Sequence, residues 1–286
     1  MTLEELYRNT TNELKKAGAD SPAFDAVWLL DAVLNIQRQD ILAKGDTPVS
    51  KAECEKVSAL AKRRTEGEPL QYILGHWEFF GRKFHVGEGV LIPRDDTEVV
   101  LCSAFAHLDR ISKSRPPRIL DLCSGSGIIA ITLKCRYPDS HVTAVEISDL
   151  AVPYLRKNAQ ENNAEIHIIH GDIFEVSEDF ENESFDLVIS NPPYVRSFEM
   201  RELQREVRFE PTLALDGGED GCDFYRRIVP MYTPKIRKGG MLAFELDADE
   251  AELVGKLMTL QGFENIHIFD DLGGVHRAIN GTVRNI

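Results

Sequence analysis

Arg118-Ile119-Leu120-Asp121-Leu122 reads as a buried strand, which Cys123-Ser124-Gly125-Ser126-Gly127 breaks and the apolar run Ile128 to Leu133 continues at helix-compatible spacing. Strand, glycine loop and helix in that order constrain this chain to an open α/β arrangement more than any other feature does. Glycines let a backbone approach a ligand closely and adopt positive φ, and the start of the helix presents unpaired N–H groups to a carboxylate or phosphate. The loop lacks both the GxGxxG and the GxxxxGK[ST] spacing, which weakens a dinucleotide or P-loop reading.

About twenty residues further on, His141-Val142-Thr143-Ala144-Val145-Glu146 alternates as a strand and ends in a carboxylate, where a nucleoside-binding α/β unit places its ribose acceptor. Glu146 is therefore a ribose candidate, the alternative being a solvated acid at a strand end. Glu165 to His170 reads as a third strand, ending at Gly171-Asp172-Ile173-Phe174. Asp172 can accept from an adenine amino group, and Ile173 can pack on the ring.

Phe185-Asp186-Leu187-Val188-Ile189-Ser190 is a further buried strand, and Asn191-Pro192-Pro193-Tyr194 follows it directly. Ligands of open α/β sheets bind outside the carboxyl ends of strands, and two successive prolines leave this turn few conformations. The Asn191 side-chain oxygen and the Pro192 carbonyl can accept from a planar NH2 group while the Tyr194 ring lies against it. An amide or an exocyclic amine fits that geometry. As such a nitrogen attacks an electrophile it becomes positive, so acceptors already aimed at its hydrogens favour the transition state. In isolation the tetrapeptide is more simply an ordinary Pro-rich turn; the strand-end motifs around it supply the context.

Read together, these residues resemble the S-adenosylmethionine-dependent methyltransferases, and more closely the family that methylates the glutamine side-chain nitrogen of peptide chain release factors. The resemblance takes in Glu68-Pro69-Leu70-Gln71-Tyr72-Ile73-Leu74-Gly75, Leu91-Ile92-Pro93-Arg94-Asp95-Asp96-Thr97-Glu98, Glu210-Pro211 through Leu215-Asp216-Gly217-Gly218, and Asp271-Leu272-Gly273-Gly274-Val275-His276-Arg277. It implies a Rossmann-like class I methyltransferase sheet preceded by a small helical domain and a connecting β-hairpin. Cys123, Ser124, Gly125, Ser126 and Gly127 would surround the methionine part of S-adenosylmethionine, Glu146 the ribose, and Asp172 and Ile173 the adenine. Asn191, also a cofactor contact, would act with Pro192, Pro193 and Tyr194 on the acceptor glutamine, with Arg94, Thr97 and Glu98 beside it. Three positions depart from the family pattern: Cys123 stands for the first loop glycine, Asp95 for the second proline of the PRPxTE-like segment, and Asp247 for a glycine after the strand Leu242 to Leu246.

The expected domains are a helical substrate-recognition head over 1–75, a hairpin linker over 76–93 and the methyltransferase domain over 94–286. Thr2 with Glu5 and Ser50 with Glu53 have capping-box spacing, and Ser21-Pro22 supplies another helix start. Phe24, Val27, Trp28, Leu30, Val33 and Leu34 recur at helical spacing and are expected to form the core of the head. Trp77 to Val86 alternates around a Gly81-Arg82-Lys83 turn as a hairpin. Thr97 and Glu98 either line the acceptor pocket or only cap the following helix. Asp220 to Lys238 and Ala248 to Leu260 are expected to be helical, Gly240 to Leu246 a strand, and Glu264 to Phe269 with Val275 to Ile279 a closing hairpin.

With 286 residues, 43% hydrophobic and 28% charged, the chain suits a body of about 200 residues and a smaller domain. A net charge of −14 argues against broad binding of nucleic-acid backbone; Lys62-Arg63-Arg64, Arg226-Arg227 and Lys235 to Lys238 read as solvated helix faces. No basic, apolar and cleavage regions of a signal peptide follow Met1, and no transmembrane run is present, so a cytoplasmic location and no membrane partner are expected. The five cysteines contain no CxxC and the eight histidines no HExxH, so reduced thiols and no metal are expected. Cys123 is most simply a small packing residue. The expected partner is a peptide chain release factor as protein substrate, and the enzyme is expected to be a monomer. The alternative is an adenine-N6 methyltransferase acting on DNA or RNA, disfavoured by the charge and by the want of a target-recognition insert. A cofactor-binding protein without activity is a third reading, against which the intact NPPY stands.

Overall fold

The computed structural model describes residues 1–284. Backbone contacts divide it into two units: Met1–His76 with Gln204–Phe209, and Trp77–Leu203 with Glu210 onward. The smaller unit holds α1 (Leu3–Lys16), α2 (Pro22–Leu34), α3 (Arg38–Ala43), α4 (Lys51–Thr65) and α5 (Leu70–Leu74). Reciprocal capping boxes start α1 and α4: Glu5 and Glu53 amides donate to Thr2 and Ser50 hydroxyls, and each glutamate accepts from its cap residue's amide. Ser21 makes no side-chain cap; α2 begins on Pro22, whose missing N–H is no loss in a first turn.

Helix α2 is turned relative to the stripe read from its large side chains. Its buried face is Asp25, Ala26, Leu29 and Leu30, whereas Phe24 is 51% exposed and Trp28 only partly covered. The cause is Arg64 on α4. Its Nε donates to Asp25 Oδ2 at 2.7 Å, and its Nη1 stands 2.8 Å from Glu206 Oε1. A buried guanidinium must keep its partners, so Asp25 is drawn inward and Phe24 outward. Arg64 is thus no solvated face, and the short segment 204–209 joins the helical unit through it. Arg205 adds bonds to the carbonyls of Thr65 at 3.0 Å and Glu66 at 2.5 Å.

The larger unit opens with a hairpin, β1 (His76–Phe79) and β2 (Arg82–His85). The turn is Phe80-Gly81, both at positive φ as a two-residue hairpin turn requires, so Arg82 and Lys83 lie in the second strand and not in the turn. Phe79 and Phe84 are buried in one core cluster with Leu101, Ile131 and Leu155. The hairpin therefore packs with the α/β unit. There follow α6 (Thr97–Ser112), β3 (Arg118–Leu122), α7 (Ile128–Arg136), β4 (His141–Glu146), α8 (Ala151–Glu161), β5 (His167–His170), β6 (Phe185–Ser190), α9 (Asp223–Tyr232), β7 (Ile236–Glu245), α10 (Ala251–Leu260), β8 (Phe263–Asp270) and β9 (His276–Val283).

The seven strands form one sheet in the order β5-β4-β3-β6-β7-β9-β8. The first five named are parallel, while β9 runs antiparallel to both β7 and β8. Because side chains alternate along a strand, Ile119, Leu187 and Ile189 join the core under α6, α7 and α8, and Leu120, Leu122 and Val188 join that under α9 and α10. The chain leaves β3 toward β4 on one side and returns to β6 on the other, which makes the carboxyl ends of these neighbours the switch point of the sheet. Leu122 pairs with Ser190, so the residues after them, Cys123 and Asn191, emerge at one level.

The helix expected over Asp220 to Lys238 is shorter. It occupies Asp223–Tyr232, a single 3-10 turn spans Thr233–Lys235, and Ile236 starts β7 by pairing with Phe185. Thr233-Pro234 ends the helix, and sheet pairing claims Ile236 to Lys238. Arg237 there reaches Asp186 at 3.2 Å, so this basic cluster is no helix face either.

Candidate active site

A cavity of about 300 Å³ lies at the carboxyl ends of β3, β4 and β6. It is lined by Cys123, Ser124, Gly125 and Ser126, by Glu146, by Asp172 and Ile173, by Asn191 and Pro193, and by Arg94 and Thr97. Gly127, Glu98, Pro192 and Tyr194 are not among its lining residues. Gly127 begins α7 at φ +87, and a Cβ there would stand 2.3 Å from Leu155 Cδ1. Glycine is required at this point by the packing of helix on helix.

The loop is held in a ligand-ready form by bonds to its backbone. The Ser124 amide donates to the Val145 carbonyl at 3.0 Å, and Asn158 Nδ2 donates to the Ser126 carbonyl at 2.9 Å. Asn158 also clasps the backbone of His85, accepting from its amide at 2.6 Å and donating to its carbonyl at 3.0 Å. Cys123 adopts φ +58, the left-handed region in which the family pattern has glycine. Its thiol is raised by burial and then by the Glu146 charge, so it stays protonated and unreactive. A packing role fits it.

Glu146 is 7% exposed and lines the site. Oε2 accepts from the Gly125 amide at 2.7 Å and Oε1 from the Ser148 amide at 2.8 Å. A carboxylate has about four lone-pair directions, so the group can shape the loop and still accept from a diol. At the far end Asp172 Oδ1 accepts from the Phe174 amide at 2.8 Å, and the Arg227 guanidinium lies over the Phe174 ring at 3.3 Å. Phe174, Phe224 and Arg227 all line the cavity. Arg227, read from sequence as part of a solvated helix face, thus forms part of the wall, a placement that nothing in its local sequence signals.

The opposite wall depends on Glu210. Oε2 accepts from the Ile92 amide at 3.0 Å, and Oε1 pairs with Arg94. Burial raises the Glu210 pKa and the Arg94 charge opposes it. Arg94 is thereby tied in place, and Glu210-Pro211 acquires a physical role. The Leu215 to Gly218 motif acts similarly on the tetrapeptide. The Val195 amide donates to the Leu215 carbonyl, the Gly217 amide to the Val195 carbonyl, and the Ser197 amide to the Gly218 carbonyl, each at 2.8 Å. A Cβ on Gly217 would stand 2.6 Å from Tyr194 Cα.

Asn191 Nδ2 is 3.4 Å from Thr97 Oγ1. Thr97 is fully buried, and α6 has no side-chain cap, so of its two sequence readings the pocket wall prevails. Tyr194 turns its hydroxyl inward to Glu245 Oε1 at 3.2 Å, and its pKa is driven well above the ordinary value by burial and by that carboxylate.

Three buried carboxyls have raised pKa values, each chiefly through desolvation: Asp121 to about 8, Glu245 to about 7 and Glu250 to about 8. An acid whose folded pKa is raised stabilises the fold below its unfolded pKa and loses that contribution as pH rises through the folded value. From these groups stability should decline between about pH 4 and pH 8. Glu250→Gln, which keeps an acceptor for the Asp247 amide, should flatten that decline in urea titrations; an unchanged slope would remove Glu250 from the account.

Among the described residues there is no group of three or more His, Cys, Asp or Glu side chains placed to hold a metal, and no helix long and apolar enough to cross a membrane.

Residues 5–75 match the family model of the PrmC N-terminal domain, and residues 101–207 match that of the methyltransferase small domain. Among solved structures, a methyltransferase from Pyrococcus furiosus superposes with TM-score 0.51 at 16% identity, over 72% of this chain and 91% of its own. The hMettl16 catalytic domain, solved with a MAT2A 3′UTR hairpin, superposes with TM-score 0.56 at 14% identity, over 82% and 83%. At those identities the likeness is one of fold. Sequence relatives are closer. The release factor glutamine methyltransferase of Geobacter sulfurreducens is 36% identical over 99% of this chain and 97% of its own length, and that of Chlorobaculum tepidum 36% identical over 96% and 95%. With relatives at 36% identity matched over nearly the whole of both chains, the chain belongs to the release factor glutamine methyltransferase family.

Proposed function

We propose that the protein transfers a methyl group from S-adenosylmethionine to the side-chain amide nitrogen of a glutamine in a peptide chain release factor. The observation that carries this reading is the meeting of the glycine loop, Glu146 and Asn191 in one cavity. The residues fit the cofactor. Gly125, at φ +55, would give a Cβ no protein atom within 4 Å, so its surface is open to a ligand, and Glu146 keeps acceptor capacity. S-adenosylmethionine supplies an electrophilic methyl group when bound. Residues 123–126 and Glu146 would hold it at the methionine and ribose parts, and Asp172 and Ile173 at the adenine. No metal is needed in this scheme.

Asn191 orients the acceptor amide. With Nδ2 toward Thr97 its oxygen is left to accept from the substrate NH2, and the Pro192 carbonyl takes the second hydrogen. Both acceptors strengthen as the nitrogen becomes positive. Arg94 and Pro193 shape the approach, and Tyr194 supports the turn. The reaction is tested by incubating the protein with methyl-labelled S-adenosylmethionine and a release factor or nucleic acid in parallel, then locating the label by mass spectrometry. Label on a glutamine is expected; label on adenine would move the assignment to nucleic acid.

Two further expectations follow from the same reading. Glu146→Ala should weaken cofactor binding by roughly 1.5–3 kcal/mol for each charge-assisted bond lost, and unchanged affinity by calorimetry would take Glu146 out of the site. The helical unit is proposed to grip the protein substrate, since it presents a groove lined by Pro22, Phe24, Val27 and Trp28 with Phe24 half exposed. Phe24→Glu should raise KM for an intact release factor and leave KM for a short glutamine peptide unaltered. Equal changes for both substrates would leave the unit a structural support.

A further inference from the structure

We infer that Asn158, which lines no part of the cavity, is a positioning residue for the cofactor, because it joins the glycine loop and the hairpin into one piece. The inference rests on the proposed binding of S-adenosylmethionine by that loop and adds what keeps the loop in its binding form.

Asn158 is fully buried on α8, and a buried primary amide needs partners for two donor hydrogens and an acceptor oxygen. It finds all of them in the main chain. Oδ1 accepts from the His85 amide at 2.6 Å, and Nδ2 donates to the His85 carbonyl at 3.0 Å and to the Ser126 carbonyl at 2.9 Å. Turned over, the side chain would set its oxygen against two carbonyls and its NH2 against an amide, so the backbone admits one orientation only. One turn further along α8, Asn162 Nδ2 donates to the Lys83 carbonyl at 3.1 Å. The two asparagines thus meet alternate residues of β2, as a neighbouring strand would.

On the loop side, the peptide between Ser126 and Gly127 is held at both polar groups. Its carbonyl is held by Asn158, and its amide donates to the Ser124 carbonyl at 2.8 Å. A planar peptide so fixed cannot turn over without losing both bonds. On the hairpin side, His85 ends β2, and Val86 and Gly87 lead on to Gly89, Val90, Leu91 and Ile92, which line the cavity. Asn158 therefore sets two walls of the cavity against each other, although they are distant in the chain. Without its donor the Ser126 carbonyl would turn to find another. Cofactor binding would then have to restore the original form, and apparent affinity falls by the fraction of protein still in that form. The acceptor nitrogen meets Asn191 at a different strand end, so turnover at saturating cofactor is spared.

The test compares Asn158→Asp, Asn158→Ala and Asn162→Ala in the full chain. Melting temperature and the affinity for S-adenosylhomocysteine by calorimetry are measured for each, with kcat and the KM for S-adenosylmethionine on a release factor. Asn158→Asp keeps the shape and the acceptor for the His85 amide but sets a carboxylate oxygen against both carbonyls. It and Asn158→Ala should weaken S-adenosylhomocysteine binding about ten- to a hundredfold, the scale of one buried carbonyl left without a donor. KM for the cofactor should rise likewise, with kcat at saturation near that of the parent. Asn162→Ala loosens the same helix from the same hairpin without touching the loop, so it should lower the melting temperature and leave cofactor affinity unchanged. Affinity that falls in step with melting temperature across all three variants would overturn the positioning role, as would parental affinity in the Asn158 variants or a chain that folds with neither of them. A parent protein that binds no S-adenosylhomocysteine would overturn the cofactor reading itself, and this role with it.

Discussion

Asn191→Ala should lower turnover on a glutamine-bearing release factor by about 10²–10³ with cofactor affinity and melting temperature nearly unchanged, the scale found when one preorganised acceptor or donor is removed from a reacting centre. The side chain touches the cavity and Thr97, and its backbone is positioned by β6, which is buried along its whole length. Removing an amide at such a strand end leaves the fold its hydrogen-bonded ladder. If Asn191 were only a turn residue, the loss of turnover would track the loss of stability across temperature. Stopped kinetics with intact folding separates the two. Near-normal turnover would mean that the tetrapeptide serves the fold alone.

Arg64→Ala should destabilise the helical unit by about 3–5 kcal/mol, the usual cost of leaving one member of a buried ion pair without its partner. The Arg64 and Asp25 side chains are 8% and 6% exposed, and Glu206 would lose its contact as well. Burial raises the Asp25 pKa even with the Arg64 charge beside it. Without Arg64 the carboxyl would protonate more readily still. By linkage its cost falls as pH falls, so the variant should lose less stability at pH 5 than at pH 8. Urea unfolding followed by Trp28 fluorescence in a Trp77→Phe background reads this unit. Replacing both partners, Asp25→Leu with Arg64→Met, should recover most of the loss, since an apolar pair leaves no charge unpaired. An Arg64→Ala protein as stable as the parent at pH 8 would show that α2 is oriented by its apolar contacts and not by this pair.

What could be read from the amino-acid order is what short-range chemistry controls. Runs of alternating or continuous apolar residues ending in Gly, Asn-Pro or an acid marked β3, β4 and β6 and their carboxyl ends. The lining residues of the cavity from Cys123 to Ser126, with Glu146, Asp172 and Asn191, follow from those ends, because Glu146 closes β4 and each of the others sits one or a few residues beyond a strand. The capping boxes at Thr2 and Ser50 are equally local. Tertiary structure decided whatever depends on a partner distant in the chain. Glu210 secures Ile92 and Arg94 across more than a hundred residues, Asn158 joins His85 to the glycine loop, and Gly217 lies under Tyr194. Arg64 decided which face of α2 is buried, and Phe185 decided that Ile236 extends a strand instead of a helix. Hydrophobic periodicity shows that a face will be covered, but a buried charge takes its orientation from the one group that neutralises it, and an edge of backbone takes its conformation from the strand beside it. Neither partner is encoded near the residue it governs, so these features exist only in the folded chain.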